Sequence, residues 1–175
     1  FVYRVHDEPN QEKVENLRNF IGNFGYKMGP TNSGKEISKE LNSLFAAAKD
    51  TPEYNAIELL SLRTMAKARY DTENLGHYGL AFKYYTHFTS PIRRYPDMLV
   101  HRLLAQYLEG GESARKETYD KLCKHASERE IVAAEAERAS IKYKLVEFMQ
   151  DKVGYTFGGH ISGLTEWGMY VEIEP

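Results

Sequence analysis

Residues 84–102 read Tyr-Tyr-Thr-His-Phe-Thr-Ser-Pro-Ile-Arg-Arg-Tyr-Pro-Asp-Met-Leu-Val-His-Arg, and they constrain the fold more than any other stretch. The first half is aromatic and β-branched and reads as the end of a strand. A Ser-Pro pair then breaks that pattern, and a helical spacing follows. Ser90 suits a cap and Pro91 a first helical position, so free backbone N–H groups are expected to point outward there. A helix start of this kind favours anions. Arg93 and Arg94 add two permanently charged, planar forks that match phosphate geometry. The residues alone therefore predict a phosphate grip. The plainer alternative is a capped helix with two solvated arginines.

The local charge supports the grip. The net charge is −2, so composition does not mark a nucleic-acid binder. Residues 63–102, however, carry seven Lys/Arg against three Asp/Glu, whereas residues 112–153 balance at nine and nine. Residues 154–175 carry three acids and no Lys or Arg. The positive excess thus surrounds the two arginines, where a phosphate backbone would be met.

The rest of the chain reads as an α+β arrangement, mainly helical, with short strands. Residues 1–6 suit a strand. Val14, Leu17, Ile21 and Phe24 follow helical spacing after Pro9, ending near Gly25. Ser33 with Glu36 suits a capping box for a helix burying Ile37, Leu41, Leu44, Phe45 and Ala48. Thr51-Pro52 opens another helix, expected to reach Tyr70 on Ile57, Leu60 and Met65. A strand is expected from Gly79 to Phe88. Pro96 marks the first turn of a helix that Gly110-Gly111 stops near Glu109. One long, charge-laced helix is expected from about Glu117 to Lys152, and an alternating β pattern begins at Gly154. The expected domain boundary is near residue 153. Both ends read as mid-strand, which predicts a piece of a longer polypeptide.

Several function classes lose support. No apolar run reaches membrane-spanning length, so no membrane partner is expected. The lone Cys123 cannot form an internal disulfide, which fits a reducing, cytoplasmic compartment, and it reads as a partly buried helix residue. The six histidines have no His-x-x-x-His spacing or Cys partners, so no zinc site is expected.

The segment HFTSPIRRYPD resembles the signature of the RNB family, the ribonuclease R and ribonuclease II exoribonucleases. YRVHDEP at 3–9, the run Leu62-Arg63-Thr64-Met65 with Ala68-Arg69-Tyr70, and GHYGLA at 76–81 resemble further family blocks in the family's order. GYTFGGHISGLTEWGMYVEI at 154–173 resembles the opening two strands of the S-one-type RNA-binding OB-fold that follows the RNB domain. The resemblance implies that residues 1–153 are the C-terminal portion of an RNB catalytic domain and 154–175 the start of a truncated OB-fold. It implies part of a Mg²⁺-dependent hydrolase that degrades single-stranded RNA from the 3′ end to nucleoside 5′-monophosphates. The double arginine and the YRVH and GHYGL wording resemble the ribonuclease R branch.

By motif position the resemblance gives Arg93 the catalytic role of clamping the scissile phosphate and neutralising developing charge. Arg94 would hold an adjacent phosphate, or pair with a neighbouring acid. Ser90 is a cap first, with a backbone phosphate contact as its second role. Tyr85, like Tyr84 and Tyr95, suits base stacking or a place in the core or rim. Trp167 and Tyr170 stand where OB-folds carry base-stacking aromatics, and Phe157 suits the core. Asp97 reads as a first-turn acid or an arginine partner in preference to a metal ligand. His77 and His87 read as hydrogen-bonded structural residues, and Glu137-Arg138 as a solvated or salt-bridged helix face. His101 and Arg102 receive no role. The family's metal-holding aspartates have no counterpart here, because Asp71, Asp97 and Asp120 are isolated. Mg²⁺ is therefore expected in the full-length parent, with no metal site in this chain, and the chain alone is expected to be inactive.

About two of an OB-fold's five strands are present, which cannot close a barrel. Residues 154–175 are therefore expected to be disordered or paired with another chain, self-association included. Two competing readings remain. One is a non-catalytic module that binds single-stranded RNA, and the other a helical domain that binds a nucleotide or phosphometabolite at Ser90–Arg94.

Overall fold

A computed structural model describes residues 1–173; the last two residues of the C-terminal piece, 174 and 175, lie outside it. The chain divides into two units, Phe1–Glu130 and Ile131–Pro175. Each is taken by itself.

The first unit has two cores. The first core forms where α1 (Gln11–Gly22), α2 (Gly34–Ala48) and α3 (Tyr54–Thr64) bury their apolar stripes together. Val14, Leu17 and Ile21 meet Ile37, Leu41, Leu44, Ala48 and Ile57, with Phe45 packed at the edge. These are the positions that helical spacing predicted. Asn10 caps α1 by accepting from Lys13 N–H. Ser33 caps α2 by accepting from Glu36 N–H, while the Glu36 carboxylate accepts from Asn32 N–H at 2.7 Å. The capping box is thus half formed, its return bond landing one residue early. Arg18 closes the α1–α2 loop by donating to the carbonyls of Met28 and Gly29 at 3.1 and 2.9 Å.

The second core gathers Val2, Tyr70, Leu99, Val100, Leu103, Cys123 and Ala126. It joins a two-stranded antiparallel sheet, β1 (Tyr3–Val5) with β2 (Arg69–Asp71), to α4 (Tyr95–Leu108) and the start of α5 (Lys116–Met149). Tyr3 pairs with Asp71, and Val5 with Arg69. Gly110, at φ 79°, takes the left-handed conformation that ends α4.

Three expectations fail in this unit or the next. The helix expected to reach Tyr70 stops at Thr64, because Met65 turns extended and Tyr70 is claimed by strand pairing with β1. Residues 79–88 do not form a strand. A 3₁₀ turn occupies Tyr78–Leu80 and Ala81 sits at φ 56°. The segment meets β1 only through scattered bonds, such as Arg4 N–H to the Tyr85 carbonyl at 2.9 Å. The disorder expected as one alternative for residues 154–173 is not what the structure shows. In the second unit β3 (Gly159–Thr165) and β4 (Gly168–Ile173) pair with each other as an antiparallel hairpin.

Cys123 is 2 % exposed, and burial, reinforced by Asp71, pushes its thiol pKa up to about 11. A thiol held protonated is a poor nucleophile. Ellman's reagent should therefore react with Cys123 only as fast as the chain opens, and full reaction of the folded protein within minutes would contradict this placement.

Candidate functional site

Ser90 does not cap the helix behind it. Its carbonyl accepts from Arg93 N–H at 3.2 Å and from Arg94 N–H at 2.9 Å, closing a separate turn over Pro91, Ile92 and Arg93. Arg94 is the N-cap of α4, and Pro96 falls in its first turn. The Ser-Pro turn and the proline-started helix are thus two separate features where the sequence alone predicts one. The Ser90 N–H is not free for a phosphate either, because it donates to Asp97 Oδ2 at 2.8 Å.

Asp97 holds this turn from beneath. It is fully buried, and the same Oδ2 accepts from Arg94 Nη2 at 2.9 Å and Nε at 3.2 Å. Of the two alternatives for Arg94, the structure displays the ion pair with a neighbouring acid. The Arg94 side chain stays 28 % exposed. Arg93 differs: it is exposed, and among the described residues it has no ion-pair partner. The turn therefore presents one cation neutralised by Asp97 and one that keeps its full charge. Beside Arg93, Ile92 is entirely exposed.

A polar network backs the turn. Arg4 pairs with Glu130 at 2.6 Å and lies 4.6 Å from the Tyr70 ring centroid. The Tyr70 hydroxyl and His87 Nδ1 are 2.9 Å apart. Burial, then the Glu130 charge, pushes the Tyr70 phenol up to about 12, so it stays protonated. Tyr85 is half-buried, edge-on to both His77 and His87 at 5.0 and 5.8 Å and stacked on Phe82 at 5.8 Å. Its ring is thus already engaged by neighbours. His101 stacks on Phe88 at 4.0 Å and donates to the Phe88 carbonyl. Sequence reasoning missed the Arg4–Glu130 and Tyr70–His87 pairs. Their partners lie 126 and 17 residues apart, and no local spacing announces them.

His87 is hydrogen-bonded as expected, to the Tyr70 hydroxyl, whereas His77 Nδ1 is buried and has no hydrogen-bond partner among the described residues. Burial lowers both pKa values, helped at His77 by His6 and at His87 by Arg94 and Arg4. A histidine with a lowered folded pKa resists protonation that the unfolded chain accepts. Its stabilising effect is whole above the ordinary value of 6.5 and is lost as pH falls from there through the lowered value. The urea midpoint should therefore drop between about pH 7.5 and about pH 5.5, and His87→Gln should flatten part of that drop. A midpoint that rises on acidification would refute the assignment.

In the second unit Trp167 lies in the β3–β4 turn and is 95 % exposed, and Tyr170 is exposed on β4 opposite Gly163. Phe157 is half-buried, and Glu137 and Arg138 face solvent on α5. Among the described residues no three His, Cys, Asp or Glu side chains converge to hold a metal ion. No described helix is long and apolar enough to cross a membrane.

The RNB domain family matches residues 1–110. Ribonuclease R of Aquifex aeolicus is 40% identical over 99% of this chain and 25% of its own length. The chain spans about a quarter of the length of the curated relatives it matches. Mycoplasma genitalium RNase R, solved in complex with ribose-methylated single-stranded RNA, superposes with a TM-score of 0.83 at 31% identity. It covers 99% of this chain and 28% of its own. Yeast Ssd1, described as a pseudonuclease, reaches a TM-score of 0.59 at 32% identity over 72% of this chain and 16% of its own. With the signature turn at 90–97 inside the matched region, the chain belongs to the RNB domain family.

Proposed function

We propose that this chain is the phosphate-gripping part of a ribonuclease R-like exoribonuclease, which degrades single-stranded RNA from the 3′ end to nucleoside 5′-monophosphates. The observation that carries the reading is Arg93, exposed and without an ion-pair partner among the described residues, on a turn that buried Asp97 holds. Hydrolysis adds water at phosphorus and breaks the bond to the neighbouring 3′ oxygen. Charge then grows on the phosphoryl oxygens, where Arg93 would stand. Mg²⁺ would supply the activated water, and its ligands are assigned to residues outside this chain, which leaves the chain inactive alone. Arg94 would add a second phosphate contact through its solvent edge. Ser90 shapes the turn, and Tyr85 would border the bases. Residues 1–153 would form the RNB portion, and 154–175 the first strands of an OB-fold whose Trp167 and Tyr170 stack bases. Both strands of that hairpin are edges, open to pairing with a further strand. A reducing, cytoplasmic setting suits the single buried thiol.

Mycoplasma genitalium RNase R complexes with single-stranded and with double-stranded RNA support RNA as the ligand. A second reading, a non-catalytic RNA-binding module, draws on the likeness to Ssd1. Both require salt-sensitive binding of single strands. Fluorescence anisotropy with a labelled oligouridylate should give a log–log salt slope of about −0.7 per phosphate contacted. Equal competition by uridine monophosphate, with no salt slope, would favour a nucleotide pocket and sink both.

A further inference from the structure

We infer that Asp97 is the positioning residue of the phosphate grip: it fixes the Ser90–Arg94 turn so that Arg93 alone presents an uncompensated guanidinium. This deepens the function proposed above and rests on it.

Three observations converge. One carboxylate oxygen, Oδ2, gathers the Ser90 N–H and two Arg94 donors, all within 3.2 Å. The same turn is closed from the other side by the Arg93 and Arg94 amides on the Ser90 carbonyl. Between these bonds the backbone of Arg93 has little freedom, while its side chain meets no acid among the described residues. The third observation is that Asp97 is fully buried, so its carboxylate cannot exchange these partners for water.

The inference reverses the sign that simple charge counting gives. Asp97→Asn removes a negative charge beside two arginines, so long-range attraction alone predicts tighter RNA binding. Loss of positioning predicts weaker binding. In Asp97→Asn we expect the amides of Ser90, Arg93 and Arg94 to exchange about 10-fold faster or more, while Leu41 in α2 keeps its rate. Oligouridylate affinity should fall about 5-fold or more, and the fall should vanish in an Arg93→Ala background, as for residues acting in one unit. Unchanged exchange at the turn, tighter RNA binding, or an equal fall in the Arg93→Ala background would each overturn the inference. If circular dichroism shows that Asp97→Asn does not fold, Arg94→Lys carries the same readouts. It breaks the fork yet leaves the carboxylate on Ser90. Absence of RNA binding by the unaltered chain would defeat the phosphate-grip reading instead, and the exchange rates would still decide whether Asp97 holds the turn.

Discussion

Arg93→Ala should weaken binding of single-stranded RNA by about 10- to 100-fold, the equivalent of losing one hydrogen bond to a charged group. The expectation follows from what each arginine already touches. Arg94 is tied to a buried carboxylate and offers a phosphate only part of its charge. Arg93 has no such partner among the described residues, so its whole charge is available to an incoming anion. Arg93→Ala should also make the salt slope shallower by about the value of one contact. Arg93→Lys should recover part of the affinity, because an ammonium keeps the charge but not the two-pronged geometry. The side chain is exposed and bonded to nothing that folds the turn, so thermal melting should barely move. A loss of affinity accompanied by a large loss of stability would mean that Arg93 is structural.

The largest effect on stability is expected from Ile37→Ala, at about 2–5 kcal/mol. Ile37 is fully buried where α1, α2 and α3 meet, and its neighbours are themselves held on three separate helices. Such a site cannot collapse around a missing side chain, so a cavity adds to the lost transfer free energy. The melting temperature should fall by about 6–20 °C. Ile37→Val, which removes one methylene, should cost about 0.5–1.5 kcal/mol. A shift under about 2 °C for Ile37→Ala would mean that this helical core is not the one that holds the unit together.

Helices α1, α2, α4 and α5 were legible because their information is local. Val14, Leu17 and Ile21, or Ile37, Leu41 and Leu44, repeat at the helical period, and Ser33 and Gly110 mark ends by their own side chain or conformation. Tyr70 was misplaced for the opposite reason. Its local neighbours continue a helical pattern, but it pairs with Arg4, 66 residues earlier in the chain, and such a partner overrides weak propensity. Residues 79–88 have strand-like composition, yet the 3₁₀ turn at Tyr78–Leu80 and the left-handed Ala81 break the run beside the free edge of β1. At the site, the two arginines could be read from the motif, and Asp97 as an arginine partner from its place in the first turn. That Asp97 also takes the Ser90 N–H could not be read, because it depends on the turn folding back over seven residues. The Arg4–Glu130 and Tyr70–His87 pairs come from packing between distant segments and leave no mark in either local sequence.

The central claim is that this chain grips RNA phosphate while the metal-holding half of the chemistry lies elsewhere. Incubating it with 5′-labelled single-stranded RNA and Mg²⁺, beside Arg93→Ala, tests this most directly when the same samples are read for binding and for length. The expected result is RNA bound by the unaltered chain, released by Arg93→Ala, and of full length in both. Shortening of the RNA by the unaltered chain but not by Arg93→Ala would contradict it. That outcome would mean that this chain holds a complete active site, with Asp71, Asp97 and Asp120 the first residues to test as its metal ligands.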